Sequence, residues 1–315
     1  MNETAAYLVP GTVAEALRFA TERKNDFRFL AGGTDVLVNK FQGNEASGCL
    51  IDISAIHELK ATFTENNFLH LGSLVTLDEV AAIPEVLASF PALLDAAKSA
   101  ASPVLRKTAT LGGNVLCENR CSFYNQGEWW REAVGFCLKC EGDVCIATGG
   151  TKKCFSRFVS DTAPALIAYD ARILVEDEKG IQQVRLEDIY TGDGLKPRNL
   201  SSVSIIKNIL LPLAPGYHCV FMKLRPRESM DFTSLTTAVS VNSEGKIKIV
   251  IGGVDPMPVV ISGPIEDKAA LLASAVKKPR IVDNDVYSRP YRKEMIGVFL
   301  KRSFDLLDKR INAAQ

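Results

Sequence analysis

Six of the eight cysteines in this chain, Cys117, Cys121, Cys137, Cys140, Cys145 and Cys154, fall within the 38 residues 117–154. The other two, Cys49 and Cys219, sit in apolar runs where a thiol packs as a small hydrophobe. Disulfides do not persist in a reducing cytosol, so clustering this dense points to thiolate ligands for a soft metal or an iron–sulfur centre. Cys121, Cys137, Cys145 and Cys154 are separated by 16, 8 and 9 residues. Cys137-Leu138-Lys139-Cys140, however, is a C-x-x-C pair of the kind zinc sites use. Spacing alone therefore leaves iron–sulfur, structural zinc and no metal all open, and does not choose four ligands from six. The segment carries aromatics and glycines without a sustained period, so it reads as an inserted loop ordered by its ligand.

The remainder of the chain bounds the answer. Its 315 residues suit about two domains, and 47% hydrophobic against 23% charged residues is ordinary for a globular core. Lys plus Arg equals Asp plus Glu at 37 each, without a basic stripe, which argues against nucleic-acid binding. No apolar run reaches membrane-span length. Met1-Asn2-Glu3-Thr4 lacks the basic and apolar regions of a signal peptide, so a cytoplasmic protein is expected.

Local patterns predict the elements. Thr12 caps a helix over 12–23, with Glu15 three residues on and Val13, Ala16, Leu17 and Ala20 on one face. Strands are expected at 27–31 and 49–53, and a hairpin at 62–73 around Glu65-Asn66-Asn67. Helices follow at 77–83 and 92–101. From about 172 the texture turns β-rich, with a hairpin turn at Glu244-Gly245 and a final helix over 291–309 with Met295, Val298, Phe299, Phe304 and Leu307 inward. The domain boundary is expected at 171–180.

Two glycine pairs carry the other chemical signal: Gly32-Gly33 before Thr34-Asp35, and Gly112-Gly113 before Asn114. Neither fits the Rossmann or P-loop spacing. A Gly-Gly-Thr turn entering a helix N-terminus presents backbone N–H groups to an anion, with Thr34 and Asn114 adding side-chain donors. The bland alternative is that both pairs only make tight turns. Trp129 and Trp130 read as packing or as a water shield, and Tyr124 as a buried tyrosine with one hydrogen bond. His57, His70 and His218 are scattered, and no nucleophile–base arrangement is suggested.

Leu30-Ala31-Gly32-Gly33-Thr34-Asp35 and Ala109-Thr110-Leu111-Gly112-Gly113-Asn114 resemble the two FAD-pyrophosphate loops of the flavoprotein subunits of molybdenum hydroxylases, the xanthine dehydrogenase and carbon monoxide dehydrogenase family. Residues 71–77, 160–166 and 223–227 with Asp231-Phe232 resemble further segments of that family in the same order, so the likeness spans nearly the whole chain. It implies an α+β fold: a two-subdomain FAD-binding domain of the PCMH, vanillyl-alcohol-oxidase type over 1–171 (subdomains about 1–55 and 56–171, insertion 117–158). A C-terminal domain of antiparallel sheet and helices, of the CO dehydrogenase flavoprotein type, would cover 172–315. The resemblance further implies FAD held by Ala31, Gly32, Gly33, Thr34, Asp35, Thr110, Gly113 and Asn114, with Asp161 and Lys223 on polar groups of the flavin or ribose. No catalytic residue is implied.

The insertion, with Cys121-Ser122-Phe123-Tyr124-Asn125-Gln126 and Glu128-Trp129-Trp130-Arg131, is similar to that of the 4-hydroxybenzoyl-CoA reductase branch of the family. There four cysteines at the same spacing hold a [4Fe–4S] cluster, which implies Cys121, Cys137, Cys145 and Cys154 as ligands. Cys117 matches a non-ligand cysteine, and Cys140 has no counterpart. The resemblance implies an electron-transfer subunit taking electrons from ferredoxin. Its partners would be a [2Fe–2S] small subunit and a molybdenum-cofactor large subunit in an (αβγ)2 assembly, where 4-hydroxybenzoyl-CoA is dehydroxylated. Another molybdenum hydroxylase, acting on a purine or N-heterocycle, is the alternative reading. A zinc-stabilised interaction protein is a distant one.

Overall fold

Thr12 ends an extended stretch and opens the first helix, its hydroxyl accepting the Glu15 N–H at 3.2 Å. The computed structural model describes residues 6–24, 26–213 and 216–314. Its first unit is β1 (Ala6–Leu8), α1 (Val13–Glu22), β2 (Arg28–Leu30), α2 (Val36–Phe41) and β3 (Cys49–Asp52), with the strands parallel in the order β1-β3-β2. Val13, Ala16, Leu17 and Ala20 are buried as the periodicity predicts, and pack with Cys49, Ile51 and Phe27. The Glu15 carboxylate turns to the Gly11 N–H rather than closing a capping box. The reciprocal box is instead at Thr76 and Glu79.

The second unit opens with the hairpin of β4 (Thr62–Glu65) and β5 (Phe68–Gly72), whose turn residues Asn66 and Asn67 both have left-handed φ. Short helices follow: α3 (Leu77–Val80), α4 (Pro84–Ser89), α5 (Pro91–Ser99), α6 (Pro103–Arg106) and α7 (Leu111–Val115). The cysteine segment contains α8 (Glu128–Val134) and a 3-10 turn at Leu138–Cys140. After it come α9 (Thr162–Ala168), β6 (Arg172–Asp177), β7 (Gly180–Arg185) and β8 (Ser204–Pro212).

The sheet topology moves the expected boundary. β6, β7 and β8, assigned above to the C-terminal domain, join the first hairpin in one antiparallel sheet of order β4-β5-β8-β6-β7. β8 lies between β5 and β6, so cutting at 171 would sever a continuous ladder, and we place the seam near residue 213. The cause is a long-range pairing that local texture does not carry.

The C-terminal unit is β9 (His218–Leu224), β10 (Leu235–Val241), β11 (Lys246–Gly252), β12 (Val259–Pro264), α10 (Lys268–Lys277) and α11 (Arg289–Ala314). Its strands form an antiparallel sheet, β12-β11-β10-β9. All seven residues of β10 are buried, because α11 covers one face and α9 packs against the other. Phe299, Phe304 and Leu307 of α11 face that core, with Met295 and Val298 half-buried beside them. Every residue of α9 is buried, making it the hub between the second unit and the C-terminal sheet. Among the described residues, no helix is long and apolar enough to cross a membrane.

Candidate functional site

The first glycine pair lies in the turn from β2 to α2, where Gly33 adopts φ +72°, a left-handed conformation that favours glycine. A Cβ on Gly32 would stand 1.7 Å from the Thr108 carbonyl oxygen, so this turn abuts the segment leading to the second pair. The N–H groups of Gly32, Gly33, Thr34 and Asp35 have no protein acceptor among the described residues. A run of such amides ahead of a helix concentrates positive potential and suits a phosphate. The Asp35 carboxylate is occupied by protein: one oxygen takes the Glu118 N–H at 3.0 Å and the other pairs with Arg120. Arg120 also stacks on Phe232 at 4.7 Å, so the loop after β9 does reach back to this turn.

The second pair behaves differently. It lies within α7, where Gly112 N–H donates to Ser73 O at 2.8 Å and Gly113 N–H to the capping Thr110 hydroxyl at 3.1 Å. Leu111 and Asn114 N–H groups are also bonded, to Val75 and Thr110 carbonyls, so among the described residues only the Thr110 N–H of 110–114 has no protein acceptor. Glycine is needed at 112 for contact, since a Cβ would meet Ser73 Cβ at 2.7 Å and its carbonyl oxygen at 2.9 Å. Asn114, expected as a donor to a ligand, uses its side-chain oxygen to accept from Ser160 Oγ, Thr162 N and Thr162 Oγ1. It thereby fixes the turn into α9.

Asp161 and Lys223 meet at 2.7 Å, both side chains nearly fully buried, and Lys223 also donates to Ser99 O at 3.0 Å. Burial pushes the Asp161 carboxyl above its ordinary range against the pull of Lys223. The pair that the sequence offered as flavin contacts thus clamps β9 onto the start of α9.

Cys121, Cys137, Cys145 and Cys154 are all buried and line one pocket, together with Phe123, Tyr124, Leu138, Lys139, Ile146, Ala147 and Ser156. Cys140 does not line it, although it packs against the same cluster and its thiol bonds that of Cys137. Its thiol hydrogen bond pulls Cys137 down to about 6 despite burial, while burial raises Cys121 to about 11 and also raises Cys154. Cys117 lies apart, on the side of Asp35, Arg120 and Arg198. Among the described residues, no three His, Cys, Asp or Glu side chains converge as ligands of a single ion. A four-iron cluster takes one thiolate per iron, at separate corners, so four buried soft donors around one pocket fit that group's chemistry.

The segment does not depend on a ligand alone for its order, as its composition had suggested. Arg120 and Arg157 form a backbone bridge, as do Cys145 and Gly150. The buried Arg131 guanidinium ties α8 to Asn44, to Gln42 O at 3.1 Å and to Gln126 O at 3.1 Å. Tyr124 is buried and donates to Asn44 O at 3.3 Å, as the bland reading held. Trp129 is 77% exposed and so does not pack within this chain, whereas Trp130 is half-buried. Glu118, Lys139 and Arg198, which nothing in the sequence singled out, form a charge cluster between the pocket and the first turn.

Residues 2–214 match the family model described as the FAD binding domain in molybdopterin dehydrogenase. The chain belongs to this family, and is a flavoprotein, oxidoreductase-type subunit of the molybdenum hydroxylase class. It is 28% identical over 256 residues to the aldehyde oxidoreductase FAD-binding subunit PaoB of Escherichia coli, covering 78% of this chain and 80% of that one. It is 26% identical to the nicotinate dehydrogenase FAD-subunit of Eubacterium barkeri, covering 96% of both. In fold it is similar to a chain of carbon monoxide dehydrogenase from Hydrogenophaga pseudoflava, with TM-score 0.77, 21% identity and 97% of each chain covered.

Proposed function

We propose that this chain is the FAD- and [4Fe–4S]-carrying electron-transfer subunit of a molybdenum-dependent reductase of the 4-hydroxybenzoyl-CoA reductase type. The observation that carries the reading is one pocket that Cys121, Cys137, Cys145 and Cys154 line together, with Cys140 packed beside Cys137 but not lining it and Cys117 apart. When bound, the cluster supplies one-electron transfer and FAD stores one or two electrons, which lets a one-electron donor serve a two-electron reaction. The chain's own residues do the holding. The free amides of residues 32–35 take the pyrophosphate, the Asp35–Arg120 pair fixes their turn, and Phe123, Leu138 and Ile146 keep water from the thiolates. Ferredoxin is the donor in this reading. The partners are a [2Fe–2S] small subunit and a molybdenum-cofactor large subunit, in an (αβγ)2 assembly where 4-hydroxybenzoyl-CoA becomes benzoyl-CoA in the cytoplasm.

The test is iron, acid-labile sulfide and flavin per chain on anaerobically purified protein, with visible spectra before and after dithionite. About four irons, about four sulfides and about one FAD are expected. Cys121→Ser should lose iron and Cys140→Ser keep it. FAD without iron overturns the reductase reading. The likeness to the nicotinate dehydrogenase subunit over 96% of both chains favours a second reading, an N-heterocycle dehydrogenase. Reduction of the holoenzyme by nicotinate or a purine, with no turnover of 4-hydroxybenzoyl-CoA, would select it.

A further inference from the structure

Lys139 lines the cysteine pocket, its side chain is only 8% exposed, and its charge acts on the Cys154 thiol. Its ammonium pairs with Glu118, donates to Gly194 O at 2.7 Å and lies 5.0 Å from the Tyr124 ring centre. Glu118 is shared, since Arg198 approaches its other oxygen at 3.4 Å while also donating to Cys117 O. Two cations on one carboxylate leave a net positive charge in a largely buried cluster. Burial alone would raise the Glu118 carboxyl, but Lys139 and Arg198 outweigh it and hold it at about 2. Two other buried cations of this region are placed differently. Arg157 is neutralised by Asp285 at 2.8 Å, and Arg131 sits behind Tyr124, bonded to backbone carbonyls and Asn44. At its other end, the Glu118 N–H is held by Asp35 of the first glycine turn.

We propose that Lys139, positioned by Glu118, sets the reduction potential of the thiolate-bound cluster in this pocket. The inference rests on the cluster reading above. Taking up one electron adds one negative charge, and in a low-dielectric site a nearby fixed cation stabilises the reduced form. Lys139 therefore raises the potential, and Glu118, which offsets that cation, lowers it. Through Asp35, the same carboxylate-bearing residue joins this setting to the flavin-side turn, so the two cofactor sites share one electrostatic element.

The test is an anaerobic potentiometric titration of the complete enzyme, followed by electron paramagnetic resonance, with iron and sulfide measured on each sample. In each titration dithionite gives the cluster one electron, and no bond or proton changes at Lys139. Lys139→Met should shift the reduced-to-oxidised ratio at fixed potential about tenfold toward oxidised, about 59 mV for a one-electron couple. Glu118→Gln should shift it the opposite way, and Lys139→Arg should stay within about threefold of wild type. Opposite signs at full iron content support the proposal, because a merely structural role would not produce them. Shifts of the same sign, or none, at full iron content overturn it and leave the cluster reading standing. Wild-type protein without iron and sulfide overturns both. Where Lys139→Met loses iron, Lys139→Arg and Glu118→Gln decide: a Glu118→Gln shift toward reduced supports the proposal and its absence overturns it.

Discussion

The two glycine pairs, each followed by a polar residue, make opposite uses of their backbone. The first leaves four consecutive amides without acceptors among the described residues and is braced by charges, Asp35 on Arg120 and on the Glu118 N–H. The second spends its amides on Ser73, Val75 and Thr110 and is braced by neutral hydrogen bonds. Gly32 and Gly112 are both there for close approach, one to Thr108 and one to Ser73. In the reading proposed above, the first turn receives the anion, while the second, whose glycine amides are bonded within the protein, packs beside it.

The comparison breaks most visibly at Gly32. A Cβ 1.7 Å from a carbonyl oxygen cannot be relieved by a side-chain rotation, so Gly32→Ala must push the two segments apart. Loss of bound FAD and a stability loss above about 3 kcal/mol are expected, read by flavin content and urea unfolding. Retained flavin with unchanged stability would show that the turns do not abut.

Acid tests the charged surroundings of the first turn through the Glu118 carboxylate, which pairs with Lys139 and Arg198 while its own N–H is held by Asp35. Glu118 is held at about 2 against an ordinary 4.5. Its contribution is therefore fully present above pH 4.5 and is lost as pH falls through that range toward 2. It is worth up to about 3 kcal/mol. The wild type should exceed Glu118→Gln in unfolding free energy at pH 6, and the gap should close by about pH 2. A gap independent of pH would remove the charge from the argument.

Gly112→Ala comes next, with an expected cost of about 1–3 kcal/mol from its contact with Ser73. At low temperature, where the variant is folded, FAD affinity should be near wild type, because this turn's glycine amides are not offered to a ligand. Titration of apoprotein with FAD measures it, and a loss as large as that of Gly32→Ala would erase the distinction.

Much of this was legible in the sequence, but unevenly. α1, the Asn66-Asn67 hairpin, the Glu244-Gly245 turn and the inward face of α11 follow from caps, turn chemistry and period, which are local properties. The four-cysteine subset could be named only through resemblance, since C-x-x-C spacing competes with it. β7 was missed because five of its six residues are exposed, which leaves no alternation to read. α8 was missed because its order comes from Arg131 reaching back to Gln42 and Asn44, not from a hydrophobic stripe. The Asp161–Lys223 clamp and the Glu118–Lys139–Arg198 cluster join residues far apart in the chain, and single charges carry no sign of their partners.

The smallest effects give the finest test, at the two threonines that accompany the turns. The Thr110 hydroxyl caps α7, so Thr110→Ala should cost about 1 kcal/mol of stability. The half-buried Thr34 has no side-chain partner among the described residues, so Thr34→Ala should change stability by no more than about 0.5 kcal/mol. Flavin affinity should rank the other way. If the Thr34 hydroxyl donates to the pyrophosphate, its removal costs one hydrogen bond, about 0.5–1.5 kcal/mol or roughly two- to tenfold in Kd. Thr110→Ala should change Kd less than that once measured on folded protein. Crossed rankings, stability following Thr110 and affinity following Thr34, would separate scaffold from receptor by a single hydroxyl at each turn. Parallel rankings would mean that both turns hold the ligand alike.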